Sequence, residues 1–244
     1  MAKPTKEMKR HINREQYFYE QYITSWNYIV PFIGINNIIS VLEIGCGEGG
    51  TLKPFYDLRF EITGIDIAQN KIDNAKIYLP SGKFLCVDIS LCSDKYDLII
   101  VKDTLEHIHG QERFIEKIKT MLNPNGKVFF AFPPWYMPFA GHQQMCRSVL
   151  RFVPYIHLLP FYKSLLNLFN EDELIIDGLL EIKQTRITIK RFKQMTKGMN
   201  IIKEAYWLIN PNYEVKFGLK PIRWRLHFFK ELVSTYYCLL IHIL

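Results

Sequence analysis

The 244-residue sequence lacks the features that mark exported, disulfide-bonded or membrane-spanning proteins. It has five cysteines and no Cys-x-x-Cys pair, which argues against a disulfide framework and against a cysteine-built zinc site. The amino-terminal stretch MAKPTKEMKRHINREQ is charged where a signal peptide needs an apolar run. The most apolar segment, residues 232–244, is shorter than the roughly 20 residues that cross a bilayer. We therefore expect a cytoplasmic protein without a transmembrane helix.

Acidic residues are scarce in the last third of the chain. Residues 1–150 carry 17 Lys and Arg against 16 Asp and Glu, whereas residues 151–244 carry 14 against 8. Between Lys183 and Lys230, twelve basic residues are accompanied only by Glu204 and Glu214. This surplus suits an anionic partner, such as phosphate groups, nucleic acid or the inner membrane surface, although a basic face can also be simply solvated.

Glycine and proline, at 13 and 12 residues, are too few for a low-complexity chain, and 48% hydrophobic residues can form a sizeable core. Short apolar runs alternate with polar, periodic stretches from residue 38 to residue 132. Because most of these runs are continuously apolar, they are typical of strands covered by helices on both faces. The pattern predicts an α/β fold with a parallel, doubly wound sheet. The predicted strands are Ile38–Ile44, Glu61–Asp66, Lys83–Val87, Tyr96–Lys102 and Lys127–Phe132.

The remaining segments predict one domain over residues 1–244 in four parts. An amino-terminal helical segment, residues 1–37 with a helix over Thr5–Val30, precedes the core at residues 38–132. An inserted helical cap follows at residues 133–185, where prolines interrupt an aromatic-rich stretch. Residues 186–244 contain a helix over Arg186–Met199 and two final strands. Further elements expected are helices at Ala68–Leu79 and Gln111–Leu122, a turn at residues 123–126, and strands at Asn200–Ile209 and Leu232–Ile243.

The strongest chemical signal is the glycine loop Val41–Gly50, in which Gly45, Gly47 and Gly50 satisfy G-x-G-x-x-G. With an acid about 20 residues later, this pattern alone predicts a dinucleotide site. Glu43 precedes the first glycine, however, and Glu48 lies inside the loop. Two carboxylates would repel a pyrophosphate, which needs backbone N–H groups and a positive helix end. A cationic ligand fits the loop better.

S-adenosylmethionine is such a ligand, since it carries a positive sulfonium and an ammonium group. Its ribose hydroxyls need an acceptor, which Asp66 offers at the end of the second predicted strand. One strand later, Asp88 is placed to accept from the adenine amine, with Ile89 as an apolar wall. Taken singly, Asp66 could instead cap the next helix, Asp88 could start a turn, and Cys46 reads as a small filler.

Several motifs in order resemble those of class I S-adenosylmethionine-dependent methyltransferases. VLEIGCGEGG is similar to the glycine motif of that family, GIDIA to its acidic motif, VDIS to its third motif, YDLIIVKDTLEHI to its fourth strand with the signature that follows, and MLNPNGKVFFAF to its fifth strand. The resemblance implies a Rossmann-like, seven-stranded, mainly parallel sheet with a reversed last strand and a helical cap inserted after the fifth strand. The cofactor-binding residues predicted on these grounds are Glu43, Gly45, Cys46, Gly47, Asp66, Ile67, Asp88, Ile89 and Lys102.

Candidates for a catalytic base are His142 and His107, with the carboxylate of Glu106 as a third. His142 follows the fifth predicted strand in a loop that should overhang the catalytic edge, and His107 follows the fourth. Each could also serve packing alone. No metal site is expected, because the spacing of the remaining histidines suggests none. Those histidines are His11, His109, His157, His227 and His242.

The stretch PPWYMPFAGHQ also resembles loops of bacterial methyltransferases that are encoded among surface-polysaccharide genes. That resemblance implies O-methylation of a sugar hydroxyl, on a small molecule or a glycan with a phosphate- or lipid-linked carrier. The basic carboxyl-terminal part would then face the phosphates or an anionic membrane surface. An RNA methyltransferase is the alternative, disfavoured because no RNA-binding module is evident. A membrane-peripheral, non-catalytic protein that retains the fold is a further alternative.

Overall fold

The computed structural model describes residues 14–226 and 228–242, and it is organised around one eight-stranded mixed sheet. The strands are β1 Ser40–Ile44, β2 Glu61–Asp66, β3 Lys83–Cys86, β4 Tyr96–Lys102, β5 Leu122–Phe132, β6 Asn200–Ile209, β7 Ile222–Arg223 and β8 Tyr236–His242. Their order across the sheet is β3-β2-β1-β4-β5-β8-β6-β7. Neighbours from β3 to β5 pair in parallel, so their carboxyl ends meet at one edge.

Ten α-helices pack around the sheet within the described ranges. They are α1 Arg14–Thr24, α2 Val30–Ile33, α3 Lys53–Asp57, α4 Gln69–Tyr78, α5 Gln111–Thr120, α6 Tyr162–Leu168, α7 Glu173–Thr185, α8 Ile189–Met195, α9 Asn212–Phe217 and α10 Lys230–Val233. A π-helical turn over Ser25–Ile29 joins α1 to α2, and single 3₁₀ turns follow several strands.

Alternation along the central strands explains why their sequence is apolar without a break. In β4, Leu98 and Ile100 belong to one buried core, while Ile99 and Val101 belong to another. The first core contains residues of α1, α3 and α4, and the second contains residues of α5 and α8. A strand buried on both faces needs apolar residues at every position, as its sequence predicts.

The mainly parallel sheet is confirmed, with one correction to the strand count. The sheet has eight strands instead of seven, because the two-residue β7 adds an antiparallel edge to β6. The last strand, β8, is reversed: it lies antiparallel between β5 and β6. The expected turn at residues 123–126 falls inside β5 as an irregularity, where Leu122 and Lys127 pair with Tyr96 and Leu98.

The helix expected over Arg186–Met199 is shorter and does not present one basic face. Arg186 adopts a left-handed conformation with φ of 40° that ends α7, and Thr188 accepts a hydrogen bond from the Arg191 backbone N–H as α8 begins. Arg191 then pairs with Glu112 at 3.0 Å. The helix predicted over Thr5–Val30 is described from residue 14 onward, and its first residues lie outside the described ranges.

Residues 133–185 contain a small core of their own. Its buried side chains come from the 3₁₀ turns after β5 and from α6 and α7; they are Cys146, Leu150, Ile156, Tyr162, Leu166, Ile176 and Leu179. The sequence did not predict α7, the longest helix of this part. Among the residues that the structure describes, no helix combines the length and the apolar character needed to cross a membrane.

Candidate functional site

A cavity opens at the carboxyl edge of the sheet, beside the ends of β1 and β4. It holds about 590 Å³ of space, part of it open to solvent at the mouth. Its lining includes five of the predicted cofactor residues, namely Glu43, Gly45, Cys46, Gly47 and Lys102. Helix α1 covers one side of the cavity with Tyr17, Phe18 and Gln21. The parallel strands therefore deliver the predicted residues to one place, as open α/β sheets do.

The glycine loop is held in a shape that other residues would not adopt without strain. Gly45 and Gly47 have φ angles of 71° and 54°, in the left-handed region. A Cβ atom on Gly45 would lie 2.3 Å from Oγ1 of Thr104, and one on Gly50 would lie 2.6 Å from the carbonyl oxygen of Phe18. The loop thus packs tightly on both the β4 end and α1, and this close packing brings its backbone to the cavity.

Asp66 at the end of β2 has structural partners as well as its predicted binding role. Its Oδ2 accepts a hydrogen bond from the Gly47 N–H at 3.0 Å, and its Oδ1 accepts from the Ala68 N–H at 2.9 Å. Lys71 lies 3.8 Å from Oδ2. The carboxylate therefore fixes both the glycine loop and the start of α4. Each carboxylate oxygen still has a second lone pair for a ligand hydroxyl.

Three further predicted residues lie along the same edge, outside the cavity that Glu43 lines. Ile67 is 80% exposed, a high value for an isoleucine beside a cleft. Asp88 accepts a hydrogen bond from the Ser90 N–H at 2.8 Å and so caps the 3₁₀ turn that contains Ile89. Hydrogen bonds from Ser90 lower the pKa of Asp88, which keeps this carboxylate ionised.

Glu43 is a carboxyl group buried without full compensation. It is 2% exposed, and within the described residues its Oε2 has no hydrogen-bond partner. Burial raises the pKa of Glu43 to about 8, although the nearby Lys102 pulls in the opposite direction. Glu48, also buried, has a second unpartnered oxygen of this kind. Orphaned buried oxygens call for an explanation, and a positively charged ligand in the cavity would supply both with a partner.

Lys102 does not neutralise Glu43 directly, because its ammonium is committed elsewhere. It donates to Oε1 of Gln21 at 2.6 Å and forms an ion pair with Asp103. Burial alone would lower the pKa of Lys102, but the charges of Asp103, Tyr17 and Glu43 and the hydrogen bond to Asp103 together outweigh burial and raise that pKa. Asp103 also accepts from the hydroxyl of Tyr236 at 2.6 Å, with its backbone at a left-handed φ of 50°. The strained Asp103 therefore connects the end of β4 to β8 at the cavity, and Lys102 connects it to α1.

The sequence-based prediction missed Asp103, Gln21 and Tyr17. Asp103 directly follows Lys102 at the end of a predicted strand, so its position carried a usable signal. Gln21 and Tyr17 reach the cavity only through the packing of α1 against the glycine loop, and no local pattern marks them.

The candidate catalytic residues come together beside this cavity. The imidazole rings of His107 and His142 stack nearly parallel, at 13°, with centroids 5.5 Å apart. One ligand atom each of Glu106, His107 and His142 lies within 4.8 Å of the other two. Burial, followed by the neighbouring His107, lowers the pKa of His142 to about 4, so this imidazole is neutral at physiological pH. Burial also favours the neutral form of Glu106, which is 4% exposed, and therefore raises its pKa.

The side chain of Gln143 anchors the loop that carries His142. Gln143 is fully buried, and its Nε2 donates to the carbonyl oxygens of Pro138 at 2.9 Å and Val153 at 3.2 Å. His142 itself has a φ of 54°, an uncommon value for a residue with a side chain. In this conformation the imidazole of His142 stacks on that of His107.

A family model described as a methyltransferase domain matches residues 14–174, about two thirds of the chain. Two curated proteins with similar sequences are ubiquinone biosynthesis O-methyltransferases. That of Bartonella bacilliformis is 29% identical over 132 residues, 49% of this chain and 51% of that protein. That of Mesorhizobium japonicum is 28% identical over 108 residues, 41% and 42% of the two chains. The chain thus spans about half the length, or less, of these relatives.

A solved structure with a similar fold is that of the plantazolicin methyltransferase BpumL in complex with a pentazolic desmethylPZN analog and SAH. The two folds align with a TM-score of 0.58 at 15% sequence identity, over 98% of this chain and 89% of that chain. At this identity the similarity concerns the fold alone.

Replacing Glu43 with glutamine is expected to stabilise the protein at neutral and higher pH. The folded pKa of about 8 exceeds the ordinary value of 4.5, so between these values the folded chain binds the extra proton. The free energy of unfolding therefore falls as the pH rises through this window. The neutral amide removes that dependence, and we expect a gain on the order of 4 kcal/mol at about pH 8. Urea unfolding at about pH 5 and pH 8 measures it.

Glu61→Gln is the matched control, because it makes the same change on an exposed residue at the start of β2. This control should follow the wild-type pH dependence. A Glu43→Gln variant that also follows the wild-type dependence would show that Glu43 ionises normally in the fold.

Proposed function

The chain belongs to the class I S-adenosylmethionine-dependent methyltransferases, and from that premise we propose that it methylates a hydroxyl oxygen of a small molecule. The observation that carries the proposal is the pair of buried, unpartnered carboxylate oxygens of Glu43 and Glu48 at the cavity. The curated relatives are named O-methyltransferases, which supports oxygen as the acceptor atom.

We place the methionine end of the cofactor in the cavity, with its ammonium toward Glu43 and the backbone of Gly45 and Gly47 beside it. The remaining lone pairs of Asp66 are available to the ribose hydroxyls. The exposed Ile67 would be covered by the adenine ring, with Ile89 and Asp88 on its far side. Covering an isoleucine that is 80% exposed removes apolar surface from water and so favours binding.

When bound, the cofactor supplies a methyl group on a positively charged sulfur, which the acceptor oxygen displaces in line. The chain contributes mainly by holding the acceptor and the methyl group in a near-attack arrangement. We place the acceptor hydroxyl on the side of the site where the imidazoles of His107 and His142 lie. Residues 133–185 form the cap on this acceptor side, since they carry His142 and pack on a core of their own.

We propose that the acceptor is a sugar hydroxyl on a phosphate- or lipid-linked carrier, which the resemblance of PPWYMPFAGHQ to loops of polysaccharide-associated methyltransferases supports. The basic residues that suggested RNA are largely engaged within the protein. Arg191 pairs with Glu112 and Lys193 with Glu204, while Arg223 and Lys230 lie over the aromatic rings of Trp207 and Tyr206. Such residues are poorly available to a nucleic-acid backbone, which favours a small acceptor over RNA.

The experiment for this proposal is incubation of the purified chain with methyl-labelled S-adenosylmethionine and a panel of sugar nucleotides and lipid-linked sugars. Label recovered as an O-methyl group on a panel member is the expected result. Label found only on amines or on added RNA would contradict the assignment of a hydroxyl acceptor.

Asp66→Asn is expected to weaken cofactor binding by about 10- to 100-fold, because charged hydrogen bonds to the ribose are lost. The substitution keeps the size of a side chain that also contacts Gly47 and Ala68. Isothermal titration calorimetry with S-adenosylmethionine measures the change. Asp73→Asn, on an exposed position of α4, is the control and should bind as the wild type does. Equal affinity in both variants would remove Asp66 from the site.

His142→Ala is expected to lower turnover by about 10² to 10⁴-fold while leaving cofactor affinity unchanged, because the residue acts on the acceptor side. Turnover is measured with the acceptor that the panel identifies, and cofactor affinity by calorimetry. His109→Ala, an exposed histidine two residues from His107, should keep full activity. Full activity in His142→Ala would exclude it from catalysis.

We also propose that the carboxyl-terminal part contacts an anionic membrane surface. Apolar side chains are exposed on residues 217–232, with Phe228 at 59% and Phe229 at 63%. The basic side chains of Lys220 and Arg225 are exposed in the same segment. Apolar and basic side chains together are typical of peripheral membrane contacts, in which the apolar groups enter the interface and the cations meet acidic headgroups.

Replacing Phe228 and Phe229 with serine is expected to reduce sedimentation with vesicles of phosphatidylcholine and phosphatidylglycerol by at least about tenfold, because two exposed aromatic rings that would enter the membrane interface are lost. Ile77→Ser, at an exposed apolar position of α4, is the control and should cosediment as the wild type does. If the wild-type protein does not sediment with these vesicles at low salt, the proposed membrane contact is wrong.

A further inference from the structure

Three side chains of the kinds that bind metal ions converge at the carboxyl edge of the sheet. Glu106 and His107 lie in the 3₁₀ turn after β4, and His142 lies in the loop after β5. One ligand atom of each lies within 4.8 Å of the other two. Because the two loops follow neighbouring parallel strands, the sheet itself brings these residues together.

The carboxylate of Glu106 points to a missing partner. Glu106 is 4% exposed, and its Oε2 finds no hydrogen-bond donor among residues 14–226 and 228–242. The backbone at this position is fixed, since its carbonyl oxygen accepts from the hydroxyl of Thr185. The nearest buried ammonium, Lys102, is committed to Gln21 and Asp103. A buried carboxylate oxygen without a donor is costly, and a bound cation would remove that cost.

The backbone of His142 supports the same conclusion. Its left-handed φ of 54° is retained because Gln143 anchors the loop on Pro138 and Val153. Strained backbone that the surroundings enforce is concentrated at functional sites. Here the enforced conformation directs an imidazole toward His107 and Glu106, and the exposed His107 has room to adjust its ring.

We propose that Glu106, His107 and His142 form a binding site for a first-row divalent transition-metal cation such as Zn²⁺. Two imidazole nitrogens and one carboxylate oxygen suit these cations better than Mg²⁺ or Ca²⁺, which prefer oxygen ligands. Three protein ligands also leave coordination positions open for another group. This assignment differs from the sequence analysis, which expected no metal site and an imidazole acting as base.

The use of such a cation rests on the proposed function. An acceptor hydroxyl bound at an open position would lose its proton to solvent more readily, because the cation stabilises the oxygen anion. The oxygen then attacks the methyl carbon while the carbon–sulfur bond breaks, and the electron pair of that bond stays on the sulfur. In this arrangement the histidines ligate the cation, and the cation acidifies the hydroxyl.

The test is calorimetric titration of Zn²⁺ and Co²⁺ into the purified full chain after chelator treatment, together with the visible absorption of bound Co²⁺. The wild type is expected to bind one equivalent, with an absorption band that reports nitrogen and oxygen ligands in low coordination number. His142→Ala and Glu106→Gln should each weaken binding by more than about tenfold. His242→Ala, at the opposite edge of the sheet where β8 pairs with the start of β5, should bind as the wild type does.

Binding of less than one equivalent by the wild type, or binding that survives both Glu106→Gln and His142→Ala, would overturn the proposal. Circular dichroism and S-adenosylmethionine affinity of each variant show whether it is folded, and His142→Gln replaces His142→Ala if the smaller side chain unfolds the loop. Methyl transfer that continues undiminished in excess chelator would remove the cation and leave the proposed function intact. A wild-type chain that binds the cation but not S-adenosylmethionine would instead contradict the proposed function.

Discussion

The site depends on buried carboxyl groups at the carboxyl edge of the sheet whose hydrogen-bonding capacity is only partly satisfied. Glu43 and Glu48 each keep a buried oxygen without a donor, and Glu43 stays protonated near neutral pH because burial outweighs the attraction of Lys102. A fold optimised only for stability would pair or replace such groups. Their retention makes sense if positive charge enters the cavity during function. The same reasoning extends to Glu106, which also keeps a buried oxygen without a donor.

The rest of the fold holds this edge rigid. A buried hydrophobic core packs on each face of the sheet, and these two cores restrain the ends of β1, β2 and β4 relative to one another. Strained positions then fix the individual groups: Gly45 lies against Thr104, and Asp103 binds both Lys102 and Tyr236. Helix α1 closes the cavity by packing on the glycine loop, where Gly50 leaves no room for a Cβ atom. Local strain is thus compensated by burial elsewhere in the structure.

Continuous apolar runs made much of the sheet predictable. The bounds expected for Glu61–Asp66, Tyr96–Lys102 and Asn200–Ile209 agree with β2, β4 and β6. The two-residue β7 was missed, because a strand of that length has no periodicity to detect. The helix bounds failed at Arg186, where a left-handed residue separates α7 from α8 although the basic spacing looks continuous. Such a break depends on tertiary contacts, which helix propensities of single residues do not take into account.

The site was predictable where residues sit at strand ends. Glu43, Gly45 and Lys102 line the cavity as expected, since parallel strands end together. The contribution of Gln21 was not predictable, because it depends on how α1 crosses the edge. Gln143, which the sequence places in a loop, is fully buried, and its side chain donates a hydrogen bond to the carbonyl oxygen of Pro138. Hydrogen bonds between distant segments decide these roles, and a single sequence does not reveal them.

Glu43 is protonated near neutral pH before a ligand binds, and a cationic ligand in the cavity should displace that proton. Calorimetry of S-adenosylmethionine binding at about pH 7, repeated in buffers of different ionisation enthalpy, measures the protons released on binding. Since the pKa of Glu43 is about 8 and a nearby cation lowers it, binding at about pH 7 should release most of one proton. That release should vanish in Glu43→Gln. An apparent enthalpy that is the same in every buffer would show that Glu43 releases no proton when the ligand binds. Binding of NAD in place of S-adenosylmethionine would show that the cavity does not select a cationic ligand.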